Sequence, residues 1–578
     1  MPFDGILTNC IAQELNSEIT GARIEKIHMP EKDEVLISLR SFKGNCKLLV
    51  SANSSVARLH LTTVKKENPN SPPMFCMLLR KYLVGGRILS VSSYGFERVL
   101  IIEVESSNEL GDLSVKKLIV EIMGKHSNLI LVNNSGTIID SIFHIDSSIS
   151  SKREVMPARP YEWPPSQNKM SPDAFDLERF LSDLRASKAK TEKAILELIL
   201  GFSPILARET CFRAKIEPLA PVETLNEEQI VKLGSETEKI IAEILSMQIF
   251  NAVYLIDYHC IKLHHLPHLE VFDTIDHTLD FYFNRKIFDD KLNQSKMTIM
   301  RIVSTNQDRC VKKLSLQQQS ISDSENFDLN RKLGDILTAN IHQLEPGLEK
   351  VRLMDFYSDD YGEIEIILDK NFSPQKNAQK YFKKYNKLKK TFEQANLQAS
   401  ETLKELEYLE SIEHAIEQAS NHEELVDIRL ELSAQGYIAA SKKKDKKAVV
   451  TSSTPNEYLS TDGFTIFSGK NNRQNDLLTL KSSKPDDFWF HTQKIPGTHV
   501  IIRTGGKNVP DRTLEEAAMI SAWHSRAKNS AKVPVDYSLV RNVKKPPGAK
   551  PGMVTYDKFK TIIVTPEESL VKKLMIKK

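Results

Sequence analysis

A row of side chains spaced three and four residues apart constrains the fold of this chain more than any other feature. The row consists of Tyr385, Leu388, Phe392, Ala395, Ala399, Thr402, Leu406 and Leu409. This spacing places them on one stripe of a helix and is typical of a coiled-coil seam. A helix of about 45 residues reaches on the order of 65 Å. We therefore predict a long antiparallel helical arm over residues 291–435, interrupted by a small β-module near 348–370.

The chain as a whole is too long for one hydrophobic core, since it has 578 residues. Residues 1–170 mix two predicted helices, 8–19 and 72–86, with short β-branched runs. Those runs predict strands at 46–53, 98–106, 116–123 and 127–136, and a proline-rich linker follows at 156–166. The fold class is therefore multidomain α+β, with an α+β N-terminal domain and an α+β C-terminal domain over 441–570.

Residues 171–290 are predicted to be all-helical. Gly201, Ser203 and Pro204 separate two apolar helical segments in this region. The turn resembles a helix-hairpin-helix, in which amides at a helix N-terminus can hold a phosphate. A plain helical hairpin explains the same residues and stays open as an alternative.

Charge is distributed unevenly along the chain. From Ser441 to Lys578 there are 26 Lys and Arg against 13 Asp and Glu, although the whole chain carries only +3. This region opens with a lysine run at 441–447. A basic domain on an acidic body indicates an anionic partner, with nucleic acid first and a membrane surface second.

The six cysteines form no CxxC pair, which predicts free thiols in a reducing compartment. The N-terminus lacks the pattern of a signal peptide, and no apolar run is long enough to span a membrane. We therefore expect a cytoplasmic protein.

The stretch 469–500 is the densest group of polar and aromatic residues. It lacks metal-ligand spacing, a nucleophile elbow and a P-loop, so binding is favoured over catalysis and no catalytic, metal or cofactor site is expected. Its amides can hydrogen-bond phosphate or ribose, and Trp489 can stack on a base. The alternatives are turn-capping for the amides and a core position for Trp489. The candidate RNA- or ribosome-binding residues are Gly469, Lys470, Asn471, Asn472, Asn475, Asp476, Trp489, His491, Pro496, Gly497 and His499.

Seven blocks in order resemble the NFACT family. They are FDGILT, NPNSPPMFCMLLRKYL, VEIMGKHSNLILV, GFSPILARE, FSPQKNAQKYFKKYNKLKK, DGFTIFSGKNNRQND and PDDFWFHTQKIPGTHV. The resemblance implies an NFACT-N domain, a helix-hairpin-helix domain, a coiled-coil arm and an NFACT-R domain.

The resemblance also implies a function in ribosome quality control. Such a protein binds a large ribosomal subunit that still holds a peptidyl-tRNA, through tRNA and rRNA contacts. It recruits alanyl-tRNA for mRNA-independent alanine tailing, which marks the nascent chain for proteolysis. Because the ribosome supplies the peptide-bond chemistry, the protein is not expected to be an enzyme. A small S4-like RNA-binding protein is left open as an assisting partner, whereas membrane and DNA are not expected partners.

The resemblance further implies a tRNA-binding set in the N-terminal domain. It comprises Asp4, Arg80, Lys81, Glu97, Arg98, Glu121, Met123 and His126. Glu97 departs from the family, where an Asp precedes the Arg, so its carboxylate lies one methylene further from the backbone. The alternatives are a helix N-cap for Asp4, surface charges for Glu97 and Arg98, and a core position for Met123.

Two other functions compete with this interpretation. The N-terminal fold of the family is similar to that of formamidopyrimidine-DNA glycosylases, which use an N-terminal proline amine. Pro2 could supply that amine, but Phe3 stands where those enzymes carry an acid. Members of the family have also been labelled fibronectin-binding, which suggests a surface adhesin.

Overall fold

The computed structural model describes residues 3–107, 111–255, 257–358, 362–439 and 453–576. Two compact units divide the chain between Phe288 and Asp289, inside a long helix. Pro2 and the lysine run at 441–447 lie outside the described residues. Both units mix helices with antiparallel sheets, which confirms the predicted multidomain α+β class.

The first unit contains a nine-stranded antiparallel sheet and a helical region. In chain order its elements are α1 Gly5–Ile19, β1 Arg23–Glu31, β2 Glu34–Ser41, β3 Gly44–Ser51, β4 Arg58–Leu61, α2 Met74–Leu83, β5 Arg87–Ser93, β6 Val99–Ser107, β7 Leu113–Glu121, β8 Asn128–Val132, β9 Ile138–Ser141, α3 Leu177–Ala186, α4 Thr191–Leu198, α5 Pro204–Ala214, α6 Glu227–Leu245, β10 Asn251–Tyr254, β11 Tyr258–His259, β12 His268–Phe272 and α7 Ile275–Ser324. The strand order is β4-β3-β2-β1-β5-β6-β7-β8-β9. All four predicted strands and both predicted helices are present.

The large sheet and the helices of this unit share one hydrophobic core. Ile6, Leu15 and Ile19 of α1 are buried in it together with Leu79 of α2 and Leu206 of α5. Burying these side chains stabilises the fold by roughly 1.5–3 kcal/mol each. The core therefore holds the start of α1 against α5, which lies about 200 residues away in the chain.

Two predictions for this unit are wrong. Residues 156–166 are not a free linker, because Ala158 N, Ile138 N and Tyr161 N make backbone hydrogen bonds that fix the segment along β9. Residues 171–290 are not all-helical, because β11, β10 and β12 form a three-stranded antiparallel sheet. Two of these strands are four residues or shorter, and such short runs give little periodic signal.

The second unit contains the arm and a C-terminal domain. Its elements after α7 are α8 Phe327–Ala339, β13 Lys350–Met354, β14 Glu363–Ile367, α9 Pro374–Gln418, α10 His422–Ala434, β15 Asn456–Leu459, β16 Thr465–Ser468, α11 Asn472–Asp476, β17 Phe488–Thr492, β18 Val500–Ile502, α12 Asp511–Trp523, β19 Val533–Leu539, β20 Val543–Lys544, β21 Thr555–Tyr556, β22 Lys560–Val564 and α13 Glu568–Leu574. A π-helix spans Leu477–Ser482.

The arm is an antiparallel pair made by α7 and α9. Lys296 Nζ donates to Glu417 O at 2.9 Å, and Gln307 Nε2 donates to Glu413 Oε2 at 3.1 Å. The partners of α7 thus run backwards along α9. Ala395, Ala399, Thr402 and Leu409 of the predicted seam are buried. The predicted β-module is the hairpin β13–β14, so the arm and its insert are confirmed.

The C-terminal domain has a six-stranded antiparallel sheet in the order β15-β16-β18-β17-β19-β22. Successive residues of β17 point to opposite faces. Phe490 packs with the core that includes α12 and α13, whereas Trp489 packs in a smaller cluster with Leu478, Ile501 and Val543. Among the described residues, no helix has both the length and the apolar character needed to cross a bilayer.

Candidate nucleic-acid interface

A pocket of about 180 Å³ in the first unit brings together segments that are distant in sequence. Asp4 at the start of α1 and Glu97 and Arg98 before β6 share it with the turn between α4 and α5. The remaining lining residues are Gly5, Phe96, Gln167, Lys169, Gly201, Phe202, Ser203 and Pro204. Three residues of the predicted tRNA-binding set therefore line one cavity together with the predicted helix-hairpin-helix turn.

Direct backbone contact between two glycines shapes the floor of this pocket. Gly5 N and Ile6 N donate to Gly201 O at 3.1 and 3.4 Å. A Cβ atom on Gly5 would lie 1.8 Å from Phe96 O and 2.6 Å from Gly201 Cα. Gly201 has φ +83°, a conformation that favours glycine. The approach of α1 to the α4–α5 turn therefore requires glycine at both positions.

Asp4 connects the helix to the turn. Its Oδ1 accepts from Leu7 N at 2.9 Å, which makes it the N-cap of α1. Its Oδ2 accepts from Ser203 Oγ, and His259 Nε2 lies 3.2 Å away. The side chain is only 4% exposed. Its oxygens are thus engaged inside the protein, so Asp4 positions the pocket rather than contacting a ligand.

Free charge at the pocket is carried by Arg98 and Lys169. The Arg98 side chain is half-buried and has no hydrogen-bond or ion-pair partner within the described part of the chain. Burial lowers the pKa of Lys169, and the nearby Glu97 carboxylate opposes that shift. Glu97 accepts from Gln167 Nε2 at 3.1 Å. Two cations beside one hydrogen-bonded carboxylate suit a ligand with phosphate and polar groups.

The register of β6 and β7 places Glu121 opposite Val99, and Met123 and His126 come directly after β7. Val99 pairs with Glu121 across β6 and β7, and Ile122 N donates to Arg98 O at 2.9 Å. His126 is exposed, whereas Met123 packs beside Tyr161 in a small cluster. The Glu121 carboxylate is buried, ion-paired with Arg153 and hydrogen-bonded by the Tyr161 hydroxyl. A direct tRNA contact by Glu121 is therefore contradicted by its burial.

Arg80 and Lys81 lie on α2 and do not line the pocket. Arg80 Nε donates to Ile27 O at 2.7 Å, so its guanidinium is partly used to hold α2 against β1. Lys81 is exposed. Their assignment as tRNA contacts stays a prediction.

The stretch 469–500 turns its polar groups inward. Asn471 caps α11 by accepting from Gln474 N, and Asn475 Oδ1 accepts from His499 N at 3.1 Å. A Cβ on Gly469 would lie 2.2 Å from that Asn475 oxygen. The buried turn therefore depends on these residues for its own shape, as the turn-capping alternative predicts.

Other members of the stretch hold neighbouring segments. Asp476 accepts from Gly552 N at 3.0 Å and pairs with Lys545. Pro496 O accepts from Arg526 N at 3.0 Å. A Cβ on Gly497 would lie 2.7 Å from Thr492 Oγ1.

Trp489 does not stack on RNA, which corrects the prediction. Its ring is fully buried and lies 5.8 Å from the His491 ring and 5.3 Å from the His499 ring, centroid to centroid. Burial lowers the pKa of His491 to about 4 and lowers the pKa of His499 as well. Both rings are therefore neutral at pH 7; His499 is buried in the domain, and His491 is half-buried beside Trp489.

Lys470 and Asn472 contact the arm. Lys470 Nζ donates to Glu424 Oε1 at 2.7 Å, and Asn472 Nδ2 donates to Ser411 Oγ at 2.8 Å. These contacts join α10 and α9 to the C-terminal domain across a cavity of about 210 Å³. The positive charge of Lys470 is thus already paired within the protein. Exposed cations of the domain lie elsewhere and include Lys507, Lys544, Lys558 and Lys560.

Several residues of the N-terminal pocket were not predicted. Lys169 and Gln167 line the pocket and follow the proline-rich segment that the sequence indicated as a linker; His259 contacts Asp4 from the short strand β11. Gly201, Ser203 and Pro204 of the lining were indicated by the sequence, because they separate two apolar helical segments.

Two protein-family models match this chain. Residues 4–450 match the family described as NFACT N-terminal and middle domains, and residues 454–558 match the NFACT protein RNA binding domain. The chain is 38% identical to the Rqc2 homolog RqcH of Bacillus subtilis, over 99% of this chain and 100% of that protein. It is 35% identical to the RqcH of Streptococcus suis, over 100% of both chains.

Similarity extends to two other known proteins. A human protein named ribosome quality control complex subunit NEMF is 21% identical over 63% of this chain and 35% of its own. A solved structure, the C-terminal part of a fibronectin/fibrinogen-binding protein from Streptococcus suis, is 34% identical over 49% of this chain and 99% of its own, with a TM-score of 0.40. The two domain matches and the full-length identities together lead to one conclusion: the chain belongs to the NFACT family of RqcH and NEMF ribosome-quality-control factors.

Proposed function

We propose that this protein binds large ribosomal subunits obstructed by peptidyl-tRNA, recruits alanyl-tRNA and promotes mRNA-independent alanine tailing of the stalled chain. The tail marks that chain for degradation. In this proposal the protein acts in the cytoplasm, and a small S4-like RNA-binding protein is a candidate partner. Within this proposal the chain divides at about residues 170, 290 and 440 into tRNA-binding, helix-hairpin-helix, arm and RNA-binding domains.

The observation that carries the proposal is the pocket around Arg98. A guanidinium without an internal partner is available for phosphate or a base edge, and it offers two parallel N–H donors for that contact. Lys169 adds a second cation in the same cavity. Asp4 and the two glycines hold the cavity open from beneath without using Arg98. The pocket is therefore a rigid anion-binding surface suited to a tRNA backbone.

The second unit supplies the other two parts of the proposal. Its RNA-binding domain carries the basic charge that attaches the protein to rRNA, through exposed lysines rather than through 469–500. The helix α9 has 45 residues and is therefore about 65 Å long; the hairpin β13–β14 contacts it near Tyr381 and the C-terminal domain contacts it near Ser411. In this account the protein binds and positions RNA, while the ribosome makes the peptide bond.

The test uses gradient fractionation of lysates with tRNA counted in the large-subunit peak. Arg98→Ala should sediment with large subunits but carry little tRNA and support no alanine tailing. Arg98→Lys should recover part of the tRNA, since a point charge replaces a two-donor contact. Arg179→Ala is the matched control, because Arg179 is an exposed arginine on α3 that does not line the pocket.

Unchanged tRNA in the Arg98→Ala peak would refute the assignment. The same gradient also tests the adhesin alternative, which requires the protein in the cell-wall fraction instead of the subunit peak.

A further inference from the structure

A pair of exposed aromatic rings lies beside the Arg98 turn and has no role in the pocket described above. Trp163 stacks on Tyr94 with ring centroids 4.2 Å apart and an interplanar angle of 9°. Trp163 is 41% exposed and Tyr94 is 43% exposed. Large aromatic rings contribute most when buried, so a parallel-stacked pair that stays partly exposed to solvent indicates a surface that a partner covers.

The backbone places this pair next to the pocket. Tyr94 N donates to Val99 O at 2.9 Å, and Glu97 N donates to Tyr94 O at 3.0 Å, so Tyr94 and Arg98 belong to one tight turn. Trp163 lies between Tyr161, whose N–H donates to Gly136 O in the turn before β9, and Gln167, which donates to Glu97. The segment that carries Tyr94 and the segment that carries Trp163 thus contact each other at the rings, and both continue into the pocket.

The pair is also held rigidly from behind. Tyr161 lies edge-on to Trp163, with centroids 5.1 Å apart and an interplanar angle of 86°. The Tyr161 hydroxyl donates to Glu121 Oε1 at 2.8 Å, and Arg153 pairs with the same carboxylate. Rings fixed in this way lose little conformational entropy when a ligand covers them. This gives the buried Glu121 a positioning role.

We propose that the Tyr94–Trp163 pair is a stacking platform for an unpaired RNA base, next to the phosphate-binding charges of Arg98 and Lys169. Rings and cations side by side match the two parts of a nucleotide, its flat base and its anionic phosphate. A base inside a duplex has both faces covered by its neighbours, so the platform selects a single-stranded loop or end. The inference rests on the proposed function only in taking tRNA as the RNA concerned.

The first experiment measures binding of full-length protein to bulk tRNA and to a fully paired RNA duplex of similar length. Trp163→Leu and Tyr94→Leu should each weaken tRNA binding roughly tenfold, in the range expected for one base–aromatic stack. Trp163→Phe keeps a ring and should stay within about threefold of wild type. Phe42→Leu is the matched control, because Phe42 is 82% exposed in the turn between β2 and β3. The variants should not change the binding of the duplex.

The second experiment detects the contact itself. Binding of tRNA should quench tryptophan fluorescence, and the quenching should disappear in Trp163→Phe while binding persists. Ultraviolet crosslinking should place a nucleotide on the peptide that contains Trp163. These readouts do not depend on whether the leucine variants fold.

Three results would overturn the platform: unchanged tRNA affinity in both leucine variants, equal quenching by the duplex, or crosslinks of Trp163 to ribosomal protein instead of RNA. If Arg98→Ala loses tRNA while the leucine variants keep it, the platform fails and the proposed function stands. If single-stranded RNA quenches Trp163 but Arg98→Ala and the leucine variants tail normally, the platform stands and the assignment of tRNA recruitment for tailing to the Arg98 pocket fails.

Discussion

Replacing Gly5 by alanine should open the N-terminal pocket without the substitution of any charged residue. The new methyl group would lie 1.8 Å from Phe96 O and 2.6 Å from Gly201 Cα, both backbone atoms. Neither neighbour can rotate away, so α1 must withdraw from the two turns that carry Arg98 and Ser203. The perturbation therefore tests whether the backbone contact at Gly5 assembles the site.

The magnitude follows from the contacts that are lost. Withdrawal breaks the hydrogen bonds from Gly5 N and Ile6 N to Gly201 O and the bond from Ser203 to Asp4. Each contributes about 1 kcal/mol, and overpacking adds roughly 1–3 kcal/mol. Alanine regains up to about 1 kcal/mol of helix propensity. We expect a net loss of about 3–5 kcal/mol, local to the first unit.

Hydrogen exchange of the full chain is the appropriate assay, since a protein of several domains need not unfold in one step. Exchange in α1 and β6 should accelerate roughly a hundredfold to several thousandfold, and tRNA binding should fall in parallel. Gly362→Ala is the control, because its Cβ would meet nothing within 4 Å. Wild-type exchange in Gly5→Ala would refute the reasoning, and so would normal tRNA binding in a variant whose exchange is accelerated.

Three further predictions concern the second unit. Ala399→Pro removes a backbone donor from the buried seam and should cost about 3 kcal/mol locally; circular dichroism should show lost helix, and tailing in cells should stop, whereas normal tailing would exclude a spanning role. Burial raises the pKa of Glu431 to about 7, so the protonated carboxyl favours the folded state and this stabilisation is lost as pH rises from about 4.5 to 7. In urea titrations Glu431→Gln should therefore stabilise this unit by about 1–3 kcal/mol at pH 8 and by little at pH 5, and equal effects at both pH values would contradict the assignment. Burial lowers the pKa values of His491 and His524 to about 4, so their contribution is present above about pH 6.5 and is lost as pH falls towards 4; melting of the wild-type unit should shift down across that window, and less in His491→Gln.

The elements with long periodic patterns were predictable from the sequence. The seam of α9 and the β-branched runs of β3, β6, β7 and β8 repeat often enough to identify a period. The sheet of β10, β11 and β12 was missed because its strands have four, two and five residues. The proline content of 156–166 predicts a linker, yet a carbonyl and the N–H groups between its prolines pair with β9 and with the turn before it.

The candidate sites were predictable only where a residue type forces its surroundings. Glycine at positions 5 and 201 and the Asp4 N-cap are local features that the sequence carries. The positions of Asn475 and Trp489 could not be predicted in this way, because the same side chains suit an RNA surface or a buried turn equally well. Only the tertiary fold, which places Asn475 under Gly469 and Trp489 between His491 and His499, separates the two.

The central claim is that this chain recruits tRNA through the Arg98 pocket to extend stalled nascent chains. The most direct measurement is mass spectrometry of a stalled reporter peptide released from cells that contain the wild-type protein, Arg98→Ala or Arg179→Ala. The account predicts C-terminal alanine tails with the wild type and with Arg179→Ala, and none with Arg98→Ala. Reporters without tails in wild-type cells, or tails of normal length with Arg98→Ala, would contradict it.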